Sequence, residues 1–259
     1  MAEGLWHSSD AHVSALLLND VPMMSLAILT LVCALTYTFE IVFGLAGTIL
    51  MLPLLSFLYD VKTLVVYSVL PQILVAVIGL IRSPKKVDRK FMAGMLFFAG
   101  LGAILGFALF YYFSASVFQV LLASAITAAG LFLVIAPHRA KFNPLGARVM
   151  DTLAGTSQAL FGISGPIAMT RLLATYRDKN TVRHYAFAFF LAMNGLRAAE
   201  YLVHGTYTAR IAEMMLFSGP FLAVALWFSN QLHLHVDERL FRRVVSWMVL
   251  LGGISLFYR

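Results

Sequence analysis

The 259-residue sequence has little charge and almost no cysteine. Only 12% of its residues are Asp, Glu, Lys or Arg, about half the share in a typical soluble domain, whereas 61% are hydrophobic. So few charges cannot cover the surface of a soluble folded chain of this size. The single cysteine, Cys33, cannot form an internal disulfide, which excludes a disulfide-stabilised secreted scaffold. The composition predicts a membrane protein that crosses the bilayer several times and has short loops.

Acidic residues are the scarcer charge, with 12 Asp and Glu against 19 Lys and Arg. The basic residues cluster in short loops between apolar runs, which is typical of the positive-inside rule rather than of nucleic-acid binding. The loops at 82–90 and 138–148 are both basic, and two long apolar runs separate them, so both belong on the cytoplasmic side. The N-terminal segment, residues 1–22, is then predicted to be extracytoplasmic, with the chain in a plasma or inner membrane.

Long apolar stretches predict ten segments. They are 24–43, 48–58, 64–81, 91–113, 115–136, 149–162, 165–175, 184–203, 210–229 and 240–258. A helix needs about 20 residues to cross the hydrocarbon core, so 48–58 and 165–175 are too short to cross. Each of these two follows a glycine-containing break. Broken helices at membrane depth are tolerated only where protein or a wet cavity surrounds the exposed backbone, so the breaks indicate a functional site.

The two breaks belong to an internal repeat. When the chain is shifted by 118 positions, ten of the 25 pairs that begin at Phe43 and Phe161 are identical, against roughly two or three expected by chance. With small gaps the register continues as far as Gly130 and Gly253. The chain is therefore predicted to contain a duplicated unit of five segments.

The parity of the crossings predicts the topology of the two units. Each has an odd number of crossings, three if its broken pair re-enters and five if both members cross. We therefore expect an all-α polytopic membrane protein made of two inverted repeats, 23–137 and 149–259, joined by a basic cytoplasmic linker at 138–148. Each repeat has a glycine-broken, re-entrant helix pair and three transmembrane helices. This is the architecture of secondary transporters, and a duplicated scaffold without transport activity is the alternative.

Each half carries a glycine-rich stretch after its first helix. In the first copy this stretch reads FGLAGTILMLPLL over residues 43–55, and in the second it reads FGISGPI over residues 161–167. Together with Asn194 and Gly195, the two-fold arrangement resembles the sulfite exporter TauE/SafE family over nearly the whole chain. The resemblance implies export of small sulfur-containing anions such as sulfite, sulfoacetate or related organosulfonates.

The breaks themselves predict an anion site. Half-helices that begin at Gly47 and Gly165 would present free backbone N–H groups and the positive ends of their dipoles at membrane depth, and an anion with three oxygens suits such donors. The alternative is that the glycines only allow close helix packing. The predicted substrate-binding residues are Gly44, Gly47, Thr48, Gln72, Gln158, Gly162, Ser164, Gly165, Asn194 and Arg197.

Two glutamates are candidates for proton coupling or for an ion pair. An arginine in mid-membrane costs about 2.5–3.5 kcal/mol even on a lenient scale, so Arg197 needs a partner or a purpose, and Glu200 lies one turn away. The pair could hold helices together, or Arg197 could attract the anion while Glu200 tunes it. Glu40 is the repeat equivalent of Gln158 and could carry a proton, although it could also lie at the water boundary.

Other signals are weaker. Gly102 and Gly106 have the spacing of a helix-packing pair. His233, His235 and Asp237 favour a solvated loop over a metal site, and no cofactor, catalytic group or phosphate-binding loop is predicted. We expect the partners to be a small anion, with protons as a candidate coupling ion, and the lipid bilayer; a homodimer is compatible with the sequence. An anion channel or a facilitator of other small carboxylate or sulfur anions is the rival within transport.

Overall fold

A computed structural model describes residues 6–43, 47–82, 87–135, 142–229 and 238–258 of the chain. Within these ranges every regular element is a helix, which confirms the all-α class. The helices are α1 (Trp6–Phe43), α2 (Gly47–Leu55), α3 (Val61–Tyr67), α4 (Val69–Arg82), α5 (Arg89–Tyr112), α6 (Ala115–Ile135), α7 (Pro144–Phe161), α8 (Gly165–Thr175), α9 (Lys179–Val203), α10 (Ala209–Ser229), α11 (Glu238–Ser255) and a final 3-10 turn, Leu256–Tyr258.

Six stretches of the described chain are long and apolar enough to cross a membrane. They are Met23–Ile41, Val61–Arg82, Arg89–Tyr112, Ala115–Phe132, Asn180–Val203 and Ala209–Ser229. Large apolar side chains on these helices face outward, among them Ile104, which is 69% exposed, and Leu216, which is 78% exposed. Such an apolar exterior suits hydrocarbon rather than water. The chain is a multi-pass membrane protein.

The first predicted interruption lies between α1 and α2, which form an antiparallel pair. The hydroxyl of Tyr59, after α2, donates to Ser25 near the start of the α1 span at 3.1 Å. Tyr37 OH and Thr48 Oγ1 lie 3.0 Å apart at the other end of the pair. At about 1.5 Å per residue, Tyr37 lies about 18 Å further along α1 than Ser25. The short helix α2 therefore begins deep inside the bundle.

The second interruption lies between α7 and α8. α7 ends at Phe161, and its C-cap residue Gly162 has a φ of 70° and a ψ of 19°, in the left-handed region. The chain then turns back, so that Arg171 on α8 lies beside Asp151 on α7, with Nε and Oδ1 3.2 Å apart. Glycine adopts this backbone conformation without the Cβ penalty of other residues, which is why the helix can reverse here within three residues.

A third interruption lies at Ser68, close to the kink that Pro71 and Gln72 predict in the sequence. The sequence pattern placed 64–81 in one segment, but α3 ends at Tyr67 and α4 begins at Val69. Pro71 explains the difference, because it has no N–H to donate to the carbonyl of Tyr67 one turn earlier. The hydroxyl of Ser68 instead donates to the carbonyl of Val65 at 2.7 Å.

Helices from the two halves of the chain pack antiparallel. Arg197 on α9 reaches Val65 on α3, whereas Gly79 on α4 lies against the ring of Phe187, so α9 runs opposite to α3 and α4.

The helices α6 and α11 also run antiparallel to each other. Gly130 lies against Leu250, and Gly253 lies against Thr127. The same shift of 123 positions relates Gly130 to Gly253 and Thr127 to Leu250. Two equivalent glycines therefore contact two equivalent partners, as they would if an in-plane two-fold axis related the helices. Glycine at each contact lets the helix backbones come close together.

Small residues also bring α5 and α7 into close contact. A Cβ added at Gly155 would overlap the carbonyl oxygen of Ala99, and one added at Gly102 would overlap that of Thr152. At Gly106 a Cβ would lie 2.7 Å from Cβ of Ala159. The predicted packing role of Gly102 and Gly106 is confirmed. These contacts hold α7, which leads to the second break, against α5.

We predict that Gly155→Ala destabilises the protein by about 1–3 kcal/mol, because the added methyl group has no room beside the α5 backbone. The control is Gly94→Ala on α5, where an added Cβ meets nothing within 4 Å. Alanine is the better helix former, so this control should be neutral or slightly stabilising. Thermal unfolding of the detergent-solubilised variants measures both effects, and equal midpoints for the two would contradict the close approach.

Candidate functional site

The N-terminus of α2 is already occupied by a carboxylate. The backbone N–H groups of Gly47 and Thr48 both donate to the side chain of Glu40, which is 5% exposed. An added Cβ at Gly47 would overlap Oε2 of Glu40 and would lie 2.6 Å from the ring of Tyr37. The expectation that these amides are free is therefore wrong for α2. Gly44, the other glycine predicted here, lies outside the described residues.

The N-terminus of α8 differs from that of α2. Ser164 is its N-cap residue, but no side chain caps the helix, because the Ser164 hydroxyl donates to Oε1 of Gln158 at 2.6 Å instead. The preceding turn is held by the hydroxyl of Ser157, which donates to the carbonyl of Ile163. Pro166, in the first turn, has no N–H to satisfy. The donors at Gly165 therefore begin a helix that no carboxylate neutralises within the described chain.

Gln72 connects the two breaks. Its amide nitrogen donates to the hydroxyl of Thr48, at the start of α2, and to the carbonyl of Gly162 at 2.7 Å. Its amide oxygen accepts from Nε2 of Gln158 at 2.8 Å and from Nη1 of Arg197 at 3.2 Å. One side chain on α4 thus satisfies polar groups from both halves of the chain.

Arg197 completes this network from α9 and is fully buried. Besides Gln72, its guanidinium donates to Oδ1 of Asn194 at 2.9 Å, to the carbonyl of Val65 at 2.7 Å and to the hydroxyl of Ser68 at 3.3 Å. All of these acceptors are neutral. The Nε atom has no hydrogen-bond partner among the described residues.

The predicted ion pair between Arg197 and Glu200 is not formed. Glu200 instead pairs with His204, with 3.0 Å between Oε1 and Nδ1, at the partly exposed end of α9. Residues 197 and 200 are close along the helix, but the guanidinium turns toward α3 and α4 rather than along its own helix. Within the described chain, no ion pair joins Arg197 to a carboxylate.

A small cavity lies between the breaks. Its walls are Glu40, Thr48, Ile49, Gln72, Gln158, Gly162, Ile163, Ser164, Gly165 and Phe190. About 10 Å³ of it is open to the centre of a water molecule, which is room for about one water. The cavity has both polar and apolar walls and is too small, in this conformation, for an anion larger than water.

The structure brings most of the predicted residues together. Seven line the cavity, namely Glu40, Thr48, Gln72, Gln158, Gly162, Ser164 and Gly165. Gly47 contacts Glu40, and Asn194 and Arg197 lie behind the walls in the hydrogen-bond network. Glu200 lies apart from it. Ser68, the carbonyl of Val65 and Phe190 were missed, and Pro71 was the one sequence signal of an additional break near them.

The remaining polar candidates do not form a metal centre in the described part of the chain, where no cluster of three or more His, Cys, Asp or Glu occurs. His233, His235 and Asp237 lie outside the described residues. Arg171, which pairs with Asp151, stacks over the ring of Phe91 at 5.1 Å and donates to Thr175 at 2.6 Å. These contacts tie the end of α8 to α7 and α5, away from the cavity.

We predict that Gly162→Ala destabilises the protein by about 1–2 kcal/mol, because alanine is strained in the left-handed region. Its Cβ would also lie 2.9 Å from Nη2 of Arg197. Gly195→Ala is the matched control, since it is a helical glycine on α9 whose added Cβ meets nothing within 4 Å. Unfolding midpoints measure the difference, and an unchanged midpoint for Gly162→Ala would contradict the described turn.

Comparison with known proteins gives one result. The family model described as Sulfite exporter TauE/SafE matches residues 29–256. No curated protein and no solved structure matches the chain. The matched range includes both broken helix pairs, the cavity and Arg197, so the match covers the site as well as most of the fold. It confirms the resemblance seen in the sequence, and the chain belongs to the TauE/SafE sulfite exporter family.

Proposed function

We propose that the protein is a secondary transporter that exports small sulfur-containing anions, sulfite, sulfoacetate or related organosulfonates, by alternating access around the central cavity. The observation that carries this proposal is the environment of the Arg197 guanidinium. Its positive charge lies fully buried inside a membrane protein, and no carboxylate among the described residues is paired with it.

A buried cation of this kind is costly unless it has a function. Even the lenient insertion scale assigns about 2.5–3.5 kcal/mol to an arginine at the centre of a membrane helix. Four hydrogen bonds to neutral groups orient Arg197, but none of them brings a negative charge into contact with its guanidinium. An anion in the adjacent cavity would supply the missing charge, and the N-terminus of α8, uncapped by any described side chain, would add oriented backbone donors.

Inverted topology of the two repeats is supported by the helix contacts. Under an in-plane two-fold axis, equivalent helices run antiparallel and equivalent residues meet equivalent partners. Gly130 with Leu250 and Gly253 with Thr127 satisfy both conditions. The two broken pairs would then enter from opposite sides, with their short helices meeting near mid-depth. The basic loops favour an extracytoplasmic N-terminus and a plasma or inner membrane.

The size of the cavity supports a carrier over an open channel. With room for about one water, the cavity cannot hold sulfite or a sulfonate without movement of its walls. A centre too narrow for the anion is what alternating access requires between its outward-open and inward-open states. Unlabelled anion trapped inside proteoliposomes should therefore accelerate uptake of labelled anion, whereas a channel would show no such counterflow.

We predict that Arg197→Gln lowers the flux of labelled sulfite or sulfonate in proteoliposomes by about tenfold or more, since a charge-assisted hydrogen bond contributes about 1.5–3 kcal/mol. Glutamine retains a neutral donor and removes the charge. Arg210→Gln is the control, because Arg210 is exposed and stacks on Tyr59 away from the cavity. Flux is normalised to the folded protein recovered from size-exclusion chromatography. Wild-type flux in Arg197→Gln would remove Arg197 from the anion site.

A further inference from the structure

Glu40 is a carboxylate bound inside its own protein in the way an anion substrate would be bound. It is 5% exposed and lines the cavity, and its oxygens accept from the two amides that begin α2. Helix N-termini favour negative charge at this position. Within the described chain no ion pair joins Glu40 to a cation. Gly47 leaves the space that this carboxylate fills, because any side chain there would overlap Oε2.

The second half of the chain shows the same position without a charge. Gln158 is the repeat equivalent of Glu40, and its side chain does not cap α8. Its oxygen accepts from Ser164, and its nitrogen donates to Gln72 and Asn194. One wall of the cavity therefore carries the bound carboxylate of Glu40. At the equivalent wall Gln158 is neutral, and the N-terminus of α8 offers backbone donors.

Few charged groups surround Glu40. Tyr37 lies beside it on α1, and Arg183 on α9 donates to the carbonyl of Ile41 at 2.8 Å rather than to a carboxylate. Arg197 is linked to Glu40 only through Gln72 and Thr48. The helix α2 has no charged residue and the one in α4, Arg82, is at its opposite end, while Asp151 and Arg171 pair between α7 and α8.

We propose that the Glu40 carboxylate is a tethered anion that competes with the transported anion for the central cavity, so that the anion binds together with one proton that neutralises Glu40. The inference rests on the proposed transport function and adds the coupling step to it. The step moves one proton from water onto a carboxylate oxygen of Glu40, and no bond of the transported anion changes.

The competition follows from charge and space. A second anion in a cavity this small would lie next to Glu40, and like charges brought together in a site of low dielectric repel by several kcal/mol. A proton on Glu40 removes the repulsion and leaves the charge of Arg197 for the substrate. If the anion binds only the form in which Glu40 is protonated, protonation strengthens anion binding. By linkage, anion binding then strengthens proton binding by the same free energy.

The test measures binding of methanesulfonate to the purified full-length protein between about pH 5.5 and pH 8, a range in which a sulfonate stays ionised. The wild-type dissociation constant should fall on acidification, approaching about tenfold per pH unit. Glu40→Gln, which installs the residue of the other half, should bind at least about tenfold more tightly near pH 8 and show little pH dependence. Glu213→Gln, at an exposed glutamate on α10, should behave as the wild type.

A second measurement on the wild type needs no variant. Calorimetric titration in buffers of different ionisation enthalpy should show uptake of up to about one proton per anion bound. No net proton uptake, or equal affinity and equal pH dependence in wild type and Glu40→Gln, would overturn the competition while leaving anion transport standing. Failure of both proteins to bind methanesulfonate at any pH would instead remove the proposed sulfonate function, and the inference with it.

Discussion

A helix that breaks halfway across a membrane exposes amide and carbonyl groups where no bulk water can bind them, and each unsatisfied group costs several kcal/mol. This constraint explains why polar side chains gather at the two breaks. At the first break the amides of Gly47 and Thr48 are satisfied by Glu40. At the second break the carbonyl of Gly162 is satisfied by Gln72, which comes from the other half of the chain. The breaks can exist because these side chains replace the missing water.

The same hydrogen bonds couple the halves mechanically. Gln72 binds Thr48 in the first half and Gly162, Gln158 and Arg197 in the second. If the cavity widens to admit an anion, some of these bonds must be exchanged for bonds to the anion. An anion with several oxygen acceptors can take up the donors released in this way, whereas a neutral apolar solute cannot. A solute without acceptors would leave these donors unsatisfied, so the network favours an anion.

Much of the fold could be predicted from the sequence, because apolar length and glycine breaks report directly on helices in a membrane. The positions of both breaks and the polar residues between them follow from this pattern. The sequence could not predict which neighbour a side chain faces in space. Arg197 and Glu200 are close along α9, yet Arg197 turns toward Val65 and Ser68 on another helix. The occupation of the α2 amides by Glu40 likewise depends on how α2 packs against α1.

The two halves of the chain carry different charges at equivalent positions of the predicted repeat. The first half contributes a carboxylate, Glu40, whose equivalent in the second half is Gln158; the second half contributes a cation, Arg197, whose equivalent is Gly79. A network of neutral amides separates the two charges, and with Glu40 ionised this pair adds no net charge to the centre. An anion alone would make the centre negative, whereas an anion with a proton would keep it neutral. In a medium of low dielectric the neutral combination costs less, so the charge asymmetry of the repeat favours joint occupancy by an anion and a proton.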